Sequence, residues 1–95
     1  MDLTTADAFE PWLGRALRVE CAPEPVEITL VEIARQPPIA GLERVPFILV
    51  FETAWEIYLS DNAYMFDFGL DEPVLIGISQ LQPSGQTRRY QAVFA

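Results

Sequence analysis

The chain has 95 residues, of which 51% are hydrophobic and 21% charged, and its formal net charge is −8. This length corresponds to one domain with its own core, and the apolar content is too high for a disordered chain. Lysine is absent, and the six arginines form no basic stripe. The acidic surface repels phosphate backbones and anionic lipids, so we expect neither nucleic acid nor a membrane as a partner.

The location of the protein is predicted from the beginning of the chain and from its cysteine content. Residues 1–7 are acidic and polar, without the basic start and apolar stretch of a signal peptide. No apolar run approaches the ~20 residues that span a bilayer. The single cysteine, Cys21, allows no internal disulfide. We therefore expect a cytoplasmic protein, and later assembly into a particle is compatible with that expectation.

Residues 4–14 have the pattern of a short helical segment. Phe9 shares one helical face with the apolar residues three and four positions after it. Thr4 and Asp7 have the spacing of a capping box. Pro11 lacks the N–H that a helix interior needs, so we expect a break before it and a second short turn after it. The segment is predicted to cover one end of a β core.

From Arg15 onward, apolar and polar residues alternate, which indicates half-buried strands separated by turns. The alternation slips by one residue at Leu30-Val31, and a β-bulge there would restore it. A proline-rich loop follows over residues 35–46. The apolar run Phe47–Phe51 should form the central, most buried strand. Three further strands are predicted near residues 64–68, 74–78 and 89–94.

The spacing of these strands predicts the fold class. About six short strands with turns between them are typical of a mostly β domain, either an antiparallel barrel or a sandwich. A meander, in which each strand pairs with the next, is the simplest path for such a chain. We expect residues 1–95 to form this single domain, with the short helical segment at its N-terminus.

The sequence offers little material for catalysis. The chain has no histidine, so the usual general base and most zinc sites are absent. Cys21 falls on the apolar face of its predicted strand, so we expect it to be a buried, inert thiol. Glu52 and Glu56 fit solvated rim positions better than a carboxylate pair across a sugar cleft, and Arg88-Arg89 should be two surface positions on opposite faces. We expect no enzyme activity, metal or cofactor.

The segment after the central strand is the main candidate for function. If its alternation continued through Leu59, the strand would exceed the roughly 3–10 residues that are usual. Either the strand bends near Thr53 and returns its aromatic residues to the core, or it presents them to solvent. Because Trp and Tyr are frequent at interfaces, we name Trp55, Ile57 and Tyr58 as the candidate interaction surface. An unpaired sheet edge is a second candidate.

Three apolar motifs carry a resemblance to a known family, and they are Phe9-x-x-x-Leu13-Gly14, Pro46-Phe47-x-Leu49-x-Phe51 and Tyr90-x-Ala92-Val93-Phe94. In order and spacing they resemble a family of small bacterial proteins catalogued as a domain of unknown function. That family has a Gln-Gly-x-Tyr turn where this chain has Asp61-Asn62-Ala63-Tyr64, and asparagine tolerates the same backbone. The resemblance implies a loop at residues 55–58 and an accessory or structural role near phage-tail-like proteins.

Two functions are compatible with these observations. The first is a non-enzymatic interaction or structural module of a bacterial, phage-tail-like assembly, acting through a protein partner or through self-association. The alternative is a small-ligand-binding β-barrel with an apolar pocket between the helical segment and the sheet.

Overall fold

A computed structural model describes residues 5–21, 23–41 and 45–94. These residues form a short 3₁₀-helix followed by six β-strands. The helix spans Ala6–Trp12, and the strands are β1 (Ala16–Glu20), β2 (Val26–Arg35), β3 (Phe47–Ala54), β4 (Asn62–Asp67), β5 (Val74–Ser84) and β6 (Thr87–Phe94).

The six described strands close into an antiparallel barrel in the order β1-β2-β3-β6-β5-β4. This confirms the mostly β fold with its short N-terminal helical segment, and it is the barrel rather than the sandwich. The prediction of a meander is wrong, because β3 pairs with β6 and β1 with β4. Two three-stranded meanders, β1–β3 and β4–β6, are instead joined along both sides. The chain leaves the barrel wall after Ala54 and returns to it at Asn62 beside β1, not beside β3.

The barrel interior is filled by the alternate side chains that the period-two pattern turns inward. These include Leu17, Val19, Ile28, Leu30, Leu49, Phe51, Phe66, Ile76, Ile78, Tyr90 and Ala92, all buried. The rings of Phe51 and Phe66 lie 5.1 Å apart across the interior. A six-stranded barrel is narrow enough for such side chains to occupy its centre. The run Phe47–Phe51 is confirmed as a deeply buried strand, with Phe47, Leu49, Val50 and Phe51 all buried. No described strand is central, however, because each one pairs on both sides in the closed barrel.

The predicted β-bulge in β2 is confirmed. Leu30 pairs with Phe51, but Glu32 pairs with Val50, so Val31 has no opposite residue. Val31 is exposed, whereas Ile33 beyond it turns inward again and packs on the core. The extra residue lets a strand with a phase slip keep its apolar side chains inside.

The hairpin between β5 and β6 differs from the prediction. The strand expected near residues 74–78 instead runs through Pro83 to Ser84, and only Gly85 and Gln86 form the turn before β6. The strand register shifts between Leu81 and Ser84. Proline is tolerated at such an irregularity because its missing N–H removes no regular ladder bond. Gly85 has φ 61°, which the tight turn requires.

The 3₁₀-helix closes one end of the barrel. Phe9 is fully buried, and its ring centroid lies 5.9 Å from Phe47, 5.9 Å from Phe68 and 5.4 Å from Phe94. Aromatic rings at these separations attract one another beyond the area they bury. The Trp12 indole N–H also donates to the Phe68 carbonyl oxygen at 3.1 Å. The helix is therefore held through both apolar and polar contacts.

The predicted break before Pro11 does not occur, because the segment is a 3₁₀-helix that continues through Pro11. A proline there removes only one N–H donor, and the next turn still closes by a bond from Leu13 N to Glu10 O at 3.1 Å. Thr5 is the residue before the helix and makes no side-chain cap. Thr4 of the predicted capping box lies outside the described residues.

An ion-pair cluster fastens the outer side of this helix to β2. Arg35 at the end of β2 places Nη2 2.7 Å from Glu10 Oε1 and 2.9 Å from Asp7 Oδ1. The hydrogen bond to Glu10 is the main reason why the pKa of Arg35 is raised. All three side chains are solvent-exposed, so this cluster orients the helix more than it stabilises the fold.

Replacement of Phe9 tests how much the barrel depends on its aromatic cover. Phe9→Ala should lower the free energy of unfolding by about 3–5 kcal/mol, because it empties a fully buried ring position. Urea denaturation followed by circular dichroism measures this loss. Leu13→Ala, an exposed apolar residue just after the same helix, is the matched control and should cost under about 0.5 kcal/mol. Equal effects of the two substitutions would contradict the role given to Phe9.

Candidate functional site

The chain turns away from the barrel wall after β3, at the place where the sequence left two possibilities. β3 ends at Ala54, and Trp55 and Glu56 form a turn. The turn is closed by a bond from Ile57 N to Ala54 O at 3.0 Å. The chain then crosses the end of the barrel opposite the 3₁₀-helix before β4 begins.

Buried hydroxyl groups hold this crossing segment against the barrel. The Thr53 hydroxyl donates to the Ile57 carbonyl oxygen at 3.1 Å. The fully buried Tyr90 of β6 accepts a hydrogen bond from Leu59 N at 3.2 Å. Its hydroxyl also lies 3.3 Å from both Ile57 O and Thr53 Oγ1, so its proton has two possible acceptors. These contacts explain why the strand bends after Thr53, because they give the backbone polar groups of the segment partners inside the protein.

The bend divides the aromatic and aliphatic residues of the segment between two environments. Ile57 packs against the hydrophobic core and Leu59 is buried in it. Trp55 and Tyr58 instead face solvent, with 47% and 61% of their surface exposed. The structure thus places Trp55 and Tyr58 together on one surface and turns Ile57, the third predicted residue, toward the core.

Arg88 of β6 completes the exposed surface. Its guanidinium carbon lies 4.2 Å from the Trp55 ring centroid and 5.4 Å from that of Tyr58. Its Nε donates to the Trp55 carbonyl oxygen at 2.8 Å. Cation–π contacts of this kind contribute about 0.5–1 kcal/mol at exposed positions. We call Trp55, Tyr58 and Arg88 the Trp55 cluster.

The sequence pattern does not predict Arg88 as a member of this surface. The signal that could have found it is the alternation of β6, in which Arg88 shares the inward side with Tyr90 and Ala92. Because Arg88 is the second residue of β6, its inward side chain reaches the barrel mouth rather than the core. Arg89 lies on the outward side, where its Nε is 3.7 Å from Glu52 Oε2. The two adjacent arginines therefore face opposite ways.

An open groove of about 620 Å³ adjoins the Trp55 cluster. Its walls come from the two turns at this end of the barrel, and they are formed by Ala54, Trp55, Glu56, Gly85, Gln86 and Thr87. Glu56 is exposed and makes no salt bridge within the described residues. The cluster therefore has a concave surface beside it, suited to a side chain or short segment of another molecule.

The other polar candidates lie apart from one another. Asp61 accepts a hydrogen bond from Gln80 N at 2.9 Å, and Asp67 accepts one from Gly69 N at 2.7 Å. Across the described residues, no group of three or more Cys, Asp or Glu side chains could hold a metal ion. Cys21 is half-buried rather than buried, because it lies just beyond β1, where its Sγ is 3.4 Å from Glu24 O.

Two further predicted sites change in the light of the fold. The unpaired sheet edge is absent from the described strands, because each strand pairs on both sides in the closed barrel. Beside the 3₁₀-helix there is an open groove of about 520 Å³, whose lining includes Trp12, Leu17 and Phe68 as well as charged residues. Phe9 itself fills the space beneath the helix. Within the described ranges, no helix is both long and apolar enough to cross a bilayer.

The fold and the site together define a small closed β-barrel with one end covered by a helix and the other carrying exposed aromatic residues. Residues 4–94 match the family described as Domain of unknown function (DUF6916). The chain belongs to this family, as its apolar motifs indicate. No curated protein and no solved structure matches it.

Substitution of Tyr90 tests the network that shapes this site. Tyr90→Phe should lower the free energy of unfolding by about 1–3 kcal/mol, because the buried Leu59 N–H loses its acceptor. In a Trp12→Phe background, the emission of Trp55 should also change as the segment loosens. Urea titration followed by fluorescence measures both effects.

The matched control is Tyr58→Phe, which removes a hydroxyl with no hydrogen bond to any described residue. Its unfolding free energy should stay within about 0.5 kcal/mol of the parent value. A Tyr90→Phe variant as stable as the control, with unchanged Trp55 emission, would show that the hydroxyl network does not hold the segment.

Proposed function

We propose that the protein is a non-enzymatic interaction module that binds a protein partner through the Trp55 cluster. The observation that supports this most strongly is the contact of Arg88 with two aromatic rings that are themselves largely exposed. Trp, Tyr and Arg are the residue types that most often dominate binding energy at protein interfaces. Here the guanidinium carbon of Arg88 lies 4.2 Å from the Trp55 ring centroid and 5.4 Å from the Tyr58 ring centroid, at the same end of the barrel.

The order within the cluster favours binding. Binding becomes weaker when flexible side chains must be fixed at the interface, because their lost conformational entropy opposes association. The Trp55 ring is already restrained by Arg88 on one side, and its backbone is restrained by the hydrogen bond from Arg88 Nε. A partner would therefore meet a largely ordered surface with a groove beside it. The half-buried Ile57 packs against the core beneath this surface and supports it, and it is not one of the proposed contact residues.

The family resemblance extends this proposal to a biological setting. A small closed barrel suits an accessory or structural component of a bacterial, phage-tail-like assembly. The protein would fold in the cytoplasm and join its partner there. The acidic character of the chain, with a net charge of −8, favours partners with neutral or basic surfaces.

A double substitution tests the proposed surface. Trp55→Ala with Tyr58→Ala should leave the circular-dichroism melt nearly unchanged, because both residues are largely exposed. It should abolish co-purification of the partner that the unaltered chain retains when expressed in its native host. The matched control is Leu13→Ala with Leu70→Ala, which removes two exposed apolar side chains from described positions away from the cluster.

Two results would oppose the proposal. If the double variant unfolds at a much lower temperature than the control, the rings contribute to the fold instead of to a contact. If it folds normally and retains the same partner, the interface lies elsewhere on the barrel.

The alternative function is a small-ligand-binding barrel, and the groove beside the 3₁₀-helix is the observation in its favour. Its volume of about 520 Å³ falls within the roughly 300–1,000 Å³ of small-molecule sites. A thermal-shift screen with fatty acids, nucleotides and sugars should raise the melting temperature for one class if this function is correct. Trp12→Ala should then remove that shift. The absence of stabilisation by every compound favours the interaction module.

A further inference from the structure

The groove beside the Trp55 cluster lies between two turns at the same end of the barrel. One is the turn at residues 55–56, after β3, and the other is the turn at residues 85–86, before β6. Between them, Ala54 pairs with Thr87 in the last rung of the ladder between β3 and β6. This ladder fixes the separation of the two turns, so the groove is a defined feature of the folded barrel.

Glu56 is the one charged residue among the described residues that line this groove. Its side chain is exposed, and it forms no salt bridge with any described residue. The Thr87 hydroxyl is already engaged, since it donates to the Ser84 carbonyl oxygen at 3.0 Å. The Gln86 side chain adds an amide whose oxygen accepts hydrogen bonds. The side chains of the groove thus offer mainly acceptors, and one of these acceptors is negatively charged.

Arg88 is committed to other contacts and does not neutralise Glu56. Its Nε donates to the Trp55 carbonyl oxygen, and its guanidinium lies against the rings of Trp55 and Tyr58. Arg88 does not line the groove, whereas Trp55 does. The Trp55 side chain therefore meets the groove with a part that Arg88 leaves uncovered. The existing contact also shows that a guanidinium can approach this indole ring closely.

We propose that this groove binds a cationic side chain, an arginine on the partner protein. The inference rests on the proposed function of the Trp55 cluster, and it adds the chemistry of the partner. The guanidinium would lie against the Trp55 indole and donate hydrogen bonds to the Glu56 carboxylate. An aromatic ring attracts a cation through its quadrupole, and a carboxylate accepts two parallel N–H bonds from a planar guanidinium.

The chemistry of the groove discriminates against other side chains. An acidic side chain would meet the like charge of Glu56. An apolar side chain would remove water from the Glu56 carboxylate without giving it a new partner. A cation avoids both costs and uses the aromatic ring as well. The net charge of −8 adds a long-range attraction for a basic segment.

A displayed library of random dodecapeptides tests this inference before the natural partner is known. The library is selected on the parent chain, and peptides that also bind the Trp55→Ala variant are discarded. The remaining peptides should be enriched in arginine. In the tightest of them, replacement of the arginine by citrulline keeps the shape but removes the charge. Isothermal titration calorimetry should then show a dissociation constant increased roughly tenfold or more.

Glu56→Gln tests the carboxylate directly. It should raise the dissociation constant of the arginine peptide roughly fivefold, but leave that of the citrulline peptide nearly unchanged, because the lost contact is specific to the guanidinium. The matched control is Glu32→Gln, at an exposed carboxylate of β2 that does not line the groove. It removes the same charge from the chain and should change either constant less than about twofold, since distant exposed charges are screened.

Two results would overturn this inference and leave the proposed function intact. One is a set of Trp55-dependent peptides without basic residues. The other is an equal effect of Glu56→Gln and Glu32→Gln, which would reduce the contact to general attraction toward an acidic chain. A library that yields no Trp55-dependent peptide also contradicts the arginine site. Co-purification with the Trp55→Ala, Tyr58→Ala variant then decides the proposed function separately.

Discussion

The ladder between β3 and β6 joins the two halves of the barrel, and most features described above depend on it. It runs without interruption from Phe47 opposite Phe94 to Ala54 opposite Thr87. At one end, the stacked rings of Phe47 and Phe94, 4.7 Å apart, form the surface that receives Phe9 of the helix. At the other end, the same register brings Thr53 and Tyr90 close enough to bind the crossing segment. A shift of this register would disconnect both ends at once.

The two barrel ends solve the same physical problem with different chemistry. An open barrel end exposes apolar side chains of the interior to water, and something must cover them. The helix end is closed by aromatic packing and by an arginine on two carboxylates. The opposite end is closed by Ile57 and Leu59, held through hydroxyl groups, and its arginine lies against aromatic rings instead. That difference leaves exposed aromatic residues at one end only, which is why that end is the better candidate for binding.

Local patterns were sufficient to predict much of the fold. The alternation of apolar residues placed the strands, and the slip at Leu30-Val31 placed the bulge, because both depend only on which side chains must face inward. The strand order was not predictable in this way. Pairing of β3 with β6 depends on contacts between residues far apart in the sequence, such as Phe51 with Tyr90. The local pattern of apolar and polar residues does not indicate such long-range contacts.

The candidate site shows the same division. Trp55 and Tyr58 could be singled out from the excessive length of the apolar run, but their exposure depended on the bend that Tyr90 fixes. Arg88 joins them only because its strand begins at this mouth of the barrel.

Closure of the barrel also determines how the protein can come apart. A sheet with free edges can lose an outer strand first, but a closed ring must break one of its seams before any described strand is released. The ladder between β1 and β4 is the shortest described seam, with three register pairs against eight between β3 and β6. Opening there costs the least, and it creates two edges that can pair with another chain. The cooperativity of the ring, and its resistance to aggregation, thus rest on its smallest ladder.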